Sequence, residues 1–226
     1  MVVLIADNPV IIVSTIARGC TMTASTEICE EVVESEAQPY YSQAEYFESE
    51  EAAEYKSEYH RGQILPMPAN SANHNMIVGD FVTPLNLAFK GQQYYHLFAL
   101  GLRLWIPQEQ FCTYPDVMVV AGKLEFAEGR KDAITNVVMV AEVLSESTAD
   151  YDRGDKFQLL RSIPTLREYI LIDQYEMHVE QFCKTDDNKW VLSEYDGADA
   201  VLVLSSVQFE MSLGEMYDRV DFESEE

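Results

Sequence analysis

Positive charge is what this chain lacks most: 15 Lys and Arg stand against 39 Asp and Glu, a net charge of −24. That balance argues against a histone-like or generally basic nucleic-acid coat. Cysteine is sparse as well. Cys20, Cys29, Cys112 and Cys183 are scattered, with no CxxC pair and no Cys/His spacing that suits zinc, so free thiols in a reducing cytoplasm are expected. His60, His74, His96 and His178 are isolated, and no Gly-rich phosphate loop, GxSxG elbow or HExxH is present. Long apolar runs are missing too. The apolar stretches 2–5 and 10–16 are interrupted by Asp7, Asn8 and Pro9, and no Lys or Arg precedes them. They fit neither a secretory signal nor a membrane span, so a soluble protein without a membrane partner is expected.

The reading of residues 1–21 is an appended leader, with Met22 as the natural start. Deleting 1–21 is expected to leave the melting temperature nearly unchanged, which thermal denaturation of the two chains would check.

What is present suits a folded globule. The chain is 47% hydrophobic and 11% aromatic, and its 226 residues favour one large domain with tails. Acidity concentrates at the ends: residues 1–59 carry 12 acidic and 2 basic side chains, and residues 210–226 carry 7 and 1. Such ends read as solvated, self-repelling surface. The expected organisation is a poorly ordered leader and acidic linker over 1–42, one domain over 43–220, and an acidic tail over 221–226.

Within that domain, 43–54 reads as a surface helix packing through Tyr46 and Phe47, and 57–68 as a strand or hairpin with Tyr59 and Ile64 inward. Residues 70–89 read as a helix capped by Asn70 or Ser71, with Ile77, Phe81, Leu85 and Ala88 at helical spacing; Pro84 should kink it or end it early. Short strands follow at 94–97, 102–106 and 113–120, then a charged loop over 124–133. NVVMVAEVLS at 136–145 is the most continuous apolar run and reads as a central strand buried on both faces. A helix with cap candidates Ser147 and Thr148 leads to Pro164, and strands are expected at 167–172, 177–182, 190–195 and 201–204 before a last short helix over 213–220. One mixed sheet flanked by helices is the economical arrangement, α/β or α+β.

The chemistry lies in the carboxylates. Asp116 follows Pro115 and opens the run Val117 to Val120; Glu142 lies inside the buried strand. A carboxylate buried without a partner costs several kcal/mol, so a Lys or Arg, a metal ion or a proton must balance Glu142. Lys156 lies about two turns into the helix that leaves this strand. Two carboxylates and a backbone carbonyl make an oxygen-rich site that suits Mg²⁺ or Mn²⁺ rather than zinc. A salt bridge competes with this reading: Asp152 and Lys156 stand four apart in the favourable acid-first order, which could use up the lysine on a helix surface.

Four motifs in order carry a resemblance: YPDVMVV at 114–120, VAEVLSEST at 140–148, YDRGDKF at 151–157 and LREYILID at 166–173, preceded by EYHRGQILPMPANSANHN at 58–75. Together they resemble the Uma-type restriction endonuclease family, abundant in cyanobacteria and part of the PD-(D/E)XK nuclease superfamily. The resemblance runs from about Ala44 to Val220. It implies an α/β restriction-endonuclease-like core with a mixed central sheet flanked by helices. It also implies Asp116 and Glu142 as the motif's acids and, with the carbonyl of Val143, as the holders of Mg²⁺ or Mn²⁺. The motif's usual lysine position is Leu144 here, and the resemblance implies Lys156 in its place, as in branches where that lysine has migrated. Gln63 stands where relatives often carry Glu after Gly62, and His74 matches a histidine of the family; Gln63, His74 and Asp152 are the supporting candidates.

The expected function is a metal-dependent endonuclease that hydrolyses DNA phosphodiester bonds, homodimeric and cytoplasmic. The alternative is a non-catalytic relative acting through protein–protein contacts, which Gln63 and the acidity favour. Phosphate backbones are bound chiefly by neutralisation, so DNA binding would need Arg61, Arg103, Arg153, Arg161 and Lys156 to gather at a cleft.

Overall fold

In the computed structural model, residues 39–223 are described. The elements below all lie in the compact unit that starts at Tyr40. The expectations for residues 1–21, for Cys20 and Cys29, and for the linker up to residue 38 fall outside the described residues.

The chain enters through helix α1 (Gln43–Ala52), where Ser42 and Glu45 form a reciprocal capping box. Its weakly amphipathic sequence buries two rings, Tyr46 and Phe47, against Tyr59 and Trp105. The hairpin β1 (Ser57–His60) and β2 (Gln63–Pro66) follows, turning at Arg61 and Gly62, both at positive φ. Helix α2 (Ala72–Ala88) is capped by Ser71. It runs through Pro84 rather than ending there. A helix-interior proline costs about 3 kcal/mol. Fully burying a large apolar side chain contributes about 1.5–3 kcal/mol, and Ile77, Phe81 and Leu85 are all at 0% exposure, so burial wins.

Strands β3 (Tyr95–Ala99), β4 (Arg103–Ile106), β5 (Phe111–Thr113) and β6 (Val117–Ala121) come next. The single strand expected over 113–120 is therefore corrected to two strands in different sheets. Pro115 has no amide to donate, so pairing stops there and the chain changes sheet. After β7 (Ala133–Ile134) come β8 (Met139–Leu144), buried at every residue, and β9 (Glu168–Asp173). Between them runs a helical stretch of three parts: α3 (Ala149–Tyr151), a π turn (Asp152–Lys156) and α4 (Phe157–Leu160). Then come β10 (His178–Lys184), β11 (Trp190–Asp196), β12 (Val201–Leu204), β13 (Phe209–Ser212) and α5 (Leu213–Met216). The last helix is shorter than the 213–220 expected, and β13 is an additional strand.

Where the pattern suggested one sheet, the described residues form three. The central one is mixed, in the order β11-β10-β9-β8-β6-β3, with β8 and β9 parallel and the other pairs antiparallel. A second has the order β2-β1-β5-β4-β7, and β12-β13 is a separate hairpin. Side chains alternate along β8 and sort into two cores. Ala141 and Val143 face Ile77, Phe81 and Leu85 of α2, while Val140 and Leu144 face Phe157 and Leu160 of α4. The central sheet is thus covered on both faces, as the apolar run of β8 required. No helix among the described residues is long and apolar enough to cross a membrane.

At the sheet edge His178 of β10 faces Asp196 of β11, with Nδ1 2.8 Å from Oδ1. Burial opposes protonation of the imidazole, but the hydrogen bond to Asp196 and the carboxylates around it hold its pKa above 6.5. A raised folded pKa means the pair's stabilisation is fully present below pH 6.5 and is lost as pH rises through the folded value. Asp196 is exposed, so the contribution should be about 0.2–1 kcal/mol. Thermal melts from about pH 5 to 9 should show Asp196→Asn losing stability only at the acid end; an equal loss at all pH values would contradict the assignment.

Candidate active site

The change of sheet at Pro115 creates the site. Val117 pairs with Ala141, so Asp116 lies opposite Glu142 at the end of the β6–β8 pair. The Asp116 amide donates to Glu142 Oε2 at 3.2 Å, and the Val143 amide donates to Asp116 Oδ2 at 2.9 Å. On the other side, His74 Nε2 sits 2.9 Å from Asp116 Oδ1. His74 is held in place because its amide donates to the Ser71 cap in the first turn of α2. Both acids expected from the motif are therefore adjacent and buried, and His74 faces them rather than serving only as helix packing.

Lys156 arrives from across the site. Its Nζ lies 2.9 Å from Glu142 Oε1, 3.3 Å from Asp152 Oδ1 and 3.6 Å from Glu58 Oε1. The Asp152–Lys156 ion pair of the competing reading does exist, but it is not surface decoration: each side chain is 5% exposed. The π turn closes at Lys156, one residue before the apolar Phe157 and Leu160 begin their contacts with the sheet. Such turns are mostly single-turn departures from the α-helix and are frequent at functional sites.

Glu58 of β1 is the member that sequence reasoning missed. It accepts hydrogen bonds from the Thr113 hydroxyl and from Tyr151 Oη, the latter at 2.8 Å. Gln63, the supporting candidate of this hairpin, is the position after Gly62. In the hairpin register His60 pairs with Gln63 and Glu58 with Leu65, which puts Gln63 on the same face as Glu58, nearer the turn. The available signal was a carboxylate beside the inward Tyr59 in a short strand. A second unforeseen contact is Tyr169 of β9, whose hydroxyl donates to the Asp152 carbonyl at 3.1 Å.

Glu58, Glu142 and Asp152 thus surround one ammonium, with Asp116 beside Glu142, and all four acids are buried. Burial pushes the Glu142 carboxyl well above the ordinary carboxylate range; Asp116 and Asp152 add to this and Lys156 opposes it. Burial alone would lower the Lys156 pKa, but Glu142, Asp152 and Glu58 hold it well above the usual lysine range. Burial and then Glu58 raise the Tyr151 phenol. Lys156 Nζ, 2.9 Å from Glu142 Oε1, is the positive group that faces this buried oxygen, and no second donor reaches it.

The matching family model spans residues 43–214 and is described as putative restriction endonuclease, Uma2. The chain belongs to this family. Two Synechocystis proteins, both described as uncharacterized, are similar to this Uma2 chain. One, sll1609, is 41% identical over 162 residues, covering 72% of this chain and 91% of its own. The other, slr1290, is 32% identical over 186 residues, covering 81% and 95%. A crystal structure from Anabaena variabilis, described as a putative nuclease belonging to DUF820, superposes with a TM-score of 0.61. It shares 20% identity and covers 74% of this chain and 92% of that one. That likeness establishes a shared α/β fold.

The donor set of this Uma2 chain fits a hard divalent cation. Glu142 and Asp116 are adjacent, and the surplus of buried acids over one lysine favours a second cation. Among the described residues no three His, Cys, Asp or Glu side chains form a metal cluster by themselves. Two carboxylates, a main-chain carbonyl and waters match the preference of Mg²⁺, which keeps part of its hydration.

The expected gathering of basic residues does not occur as foreseen. Arg61 pairs with Glu109, Arg103 with Asp132, and Arg153 with Glu180, while Arg161 lies over the Phe157 ring. Of the five, only Lys156 is in the acidic cluster. Cys112 is buried and Cys183 half-buried, both as free thiols outside the cluster.

Proposed function

We propose that this Uma2-family chain is a Mg²⁺- or Mn²⁺-dependent endonuclease that hydrolyses DNA phosphodiester bonds. The observation that carries the reading is the meeting of Asp116, Glu142 and Lys156 at one buried point. Asp116, Glu142 and the Val143 carbonyl would hold the cation. When bound, such an ion polarises a phosphate oxygen and lowers the pKa of a water.

The protein's own groups do the rest. Lys156 orients the attacking water and offsets charge that builds at phosphorus. Asp152 and Glu58 aim the ammonium, and the Tyr151 and Thr113 hydroxyls fix Glu58 in turn. His74 and the Val143 amide fix the two Asp116 oxygens. Gln63, on Glu58's face of the hairpin, supplies a neutral hydrogen-bonding group where a further acid would add repulsion. A two-fold dimer with one site per subunit is the simplest assembly for cutting both strands.

The test is cleavage of plasmid and of single-stranded DNA with Mg²⁺, with Mn²⁺ and with chelator. The parent should nick or linearise DNA only with metal, and Asp116→Asn should reduce the rate by ~10² or more. A parent inert under varied metals and substrates would transfer the assignment to the second reading, a non-catalytic relative working through protein contacts. The net charge of −24 and the arginines already held by acids favour that second reading.

A further inference from the structure

The parallel strands β8 and β9 end side by side, Leu144 opposite Asp173, and a cavity of about 350 Å³ opens just beyond them. Leu144, Ser145, Glu146, Ala149, Asp173 and Tyr175 line it. Crevices at the carboxyl ends of parallel strands are the usual ligand position in open α/β sheets.

Three features narrow the occupant. Leu144 stands two residues after Glu142 on the same face of β8, so the cavity begins about 7 Å along the strand from the acid cluster. That is close to the step between neighbouring nucleotides of an extended strand. Tyr175 is a large aromatic residue that is 47% exposed. Its hydroxyl accepts from the Glu146 amide at 3.2 Å and its own amide donates to Asp173 Oδ1 at 2.7 Å, so the exposed ring is fixed in place. The charged groups at the rim, Glu146 and Asp173, repel phosphate but can accept from the amino edge of a base.

Resting on the nuclease reading, we propose that this cavity receives an unstacked nucleobase, held against the Tyr175 ring, from the strand whose phosphate lies at Asp116 and Glu142. The substrate class is then nucleic acid with single-stranded character: a single strand, a gap or a frayed end. Stacking is the contact an acidic surface can make with a polyanion, because every base offers an uncharged face.

The experiment uses the full chain and an oligonucleotide carrying 2-aminopurine, single-stranded or in a duplex, with Ca²⁺ in place of Mg²⁺. The expected result is fluorescence quenching and tighter binding for the single strand. Tyr175→Ala should weaken that binding roughly 10-fold or more, whereas Tyr175→Phe, which keeps the ring and loses the hydroxyl, should retain it. The melting temperatures of both variants are measured alongside. Equal binding of single strand and duplex, no binding of the single strand, or a folded Tyr175→Ala that binds like the parent would overturn the proposal. A parent that cuts plasmid yet fails these tests loses the base pocket and keeps the nuclease reading. A parent that holds the probe through Tyr175 yet cuts nothing keeps the pocket and loses the hydrolysis.

Discussion

Lys156→Ala will destabilise the metal-free protein by about 3–5 kcal/mol, because it removes one partner of a buried ion pair and leaves the other buried. The size follows from the surroundings. Glu142, Asp152 and Glu58 all lie within 3.6 Å of the ammonium, and each side chain is 8% exposed or less. An exposed Asp–Lys pair four residues apart on a helix would give about 0.3–0.5 kcal/mol, an order of magnitude less. Without the lysine, three buried acids repel, and Glu142, already pushed upward by burial, is the one best placed to take a proton. The mutant should therefore recover stability on acidification. Mg²⁺ should restore much of the loss at neutral pH, because it supplies positive charge to the same oxygens. Cleavage should stay down by ~10²–10³, because charge is restored but the hold on the water is not. Urea denaturation and plasmid cleavage, each with chelator and with Mg²⁺, read both effects. A stability change of a few tenths of a kcal/mol would return Lys156 to the role of surface pairing. An unchanged rate would remove it from the mechanism.

Glu142→Gln should act in the opposite direction on stability and in the same direction on activity. The folded-state pKa of Glu142 is raised, so the folded protein binds its proton more tightly than the unfolded chain does. Stability tied to this group is accordingly full below pH 4.5 and declines as pH rises towards the folded value. Glutamine keeps the shape and has no charge at any pH, so the decline should vanish. At neutral pH and without metal, the variant should gain stability on the order of 1 kcal/mol, while Lys156 keeps Asp152 and Glu58 as partners. Cleavage should fall by at least ~10², and the stabilisation that Mg²⁺ gives the parent should shrink with it. A site that is costly to fold and needed for turnover is the expected mark of function. The variant must be compared with the parent across pH in chelator. A less stable Glu142→Gln at neutral pH would mean that the Glu142–Lys156 pair is a net structural asset.

Much of this site was legible in the residues themselves. Glu142 stood out because a continuous apolar run should not hold an unbalanced acid, and Asp116 because it opens the next apolar run after Pro115. The Ser71 cap, the Tyr46 and Phe47 contacts and the two-faced burial of β8 followed from local periodicity, which depends on neighbours in sequence. Sequence also fixed the acidity and the kinds of metal donor available. What it did not decide depends on contacts between distant segments. The change of sheet at Pro115, which sets Asp116 opposite Glu142, exists only through pairing with β8. The continuation of α2 past Pro84 depends on apolar surface supplied by the sheet. Whether Lys156 would be spent on Asp152 at a surface or shared among three acids could not follow from a spacing of four, because that spacing is the same in both cases; burial alone separates them. Glu58 was missed for the same reason. A glutamate in a short charged hairpin looks solvated until Thr113, Tyr151 and Lys156, from 55 to 98 residues further along, close around it. Composition and periodicity determine which faces are apolar; only the folded chain decides which charges must share the space between them.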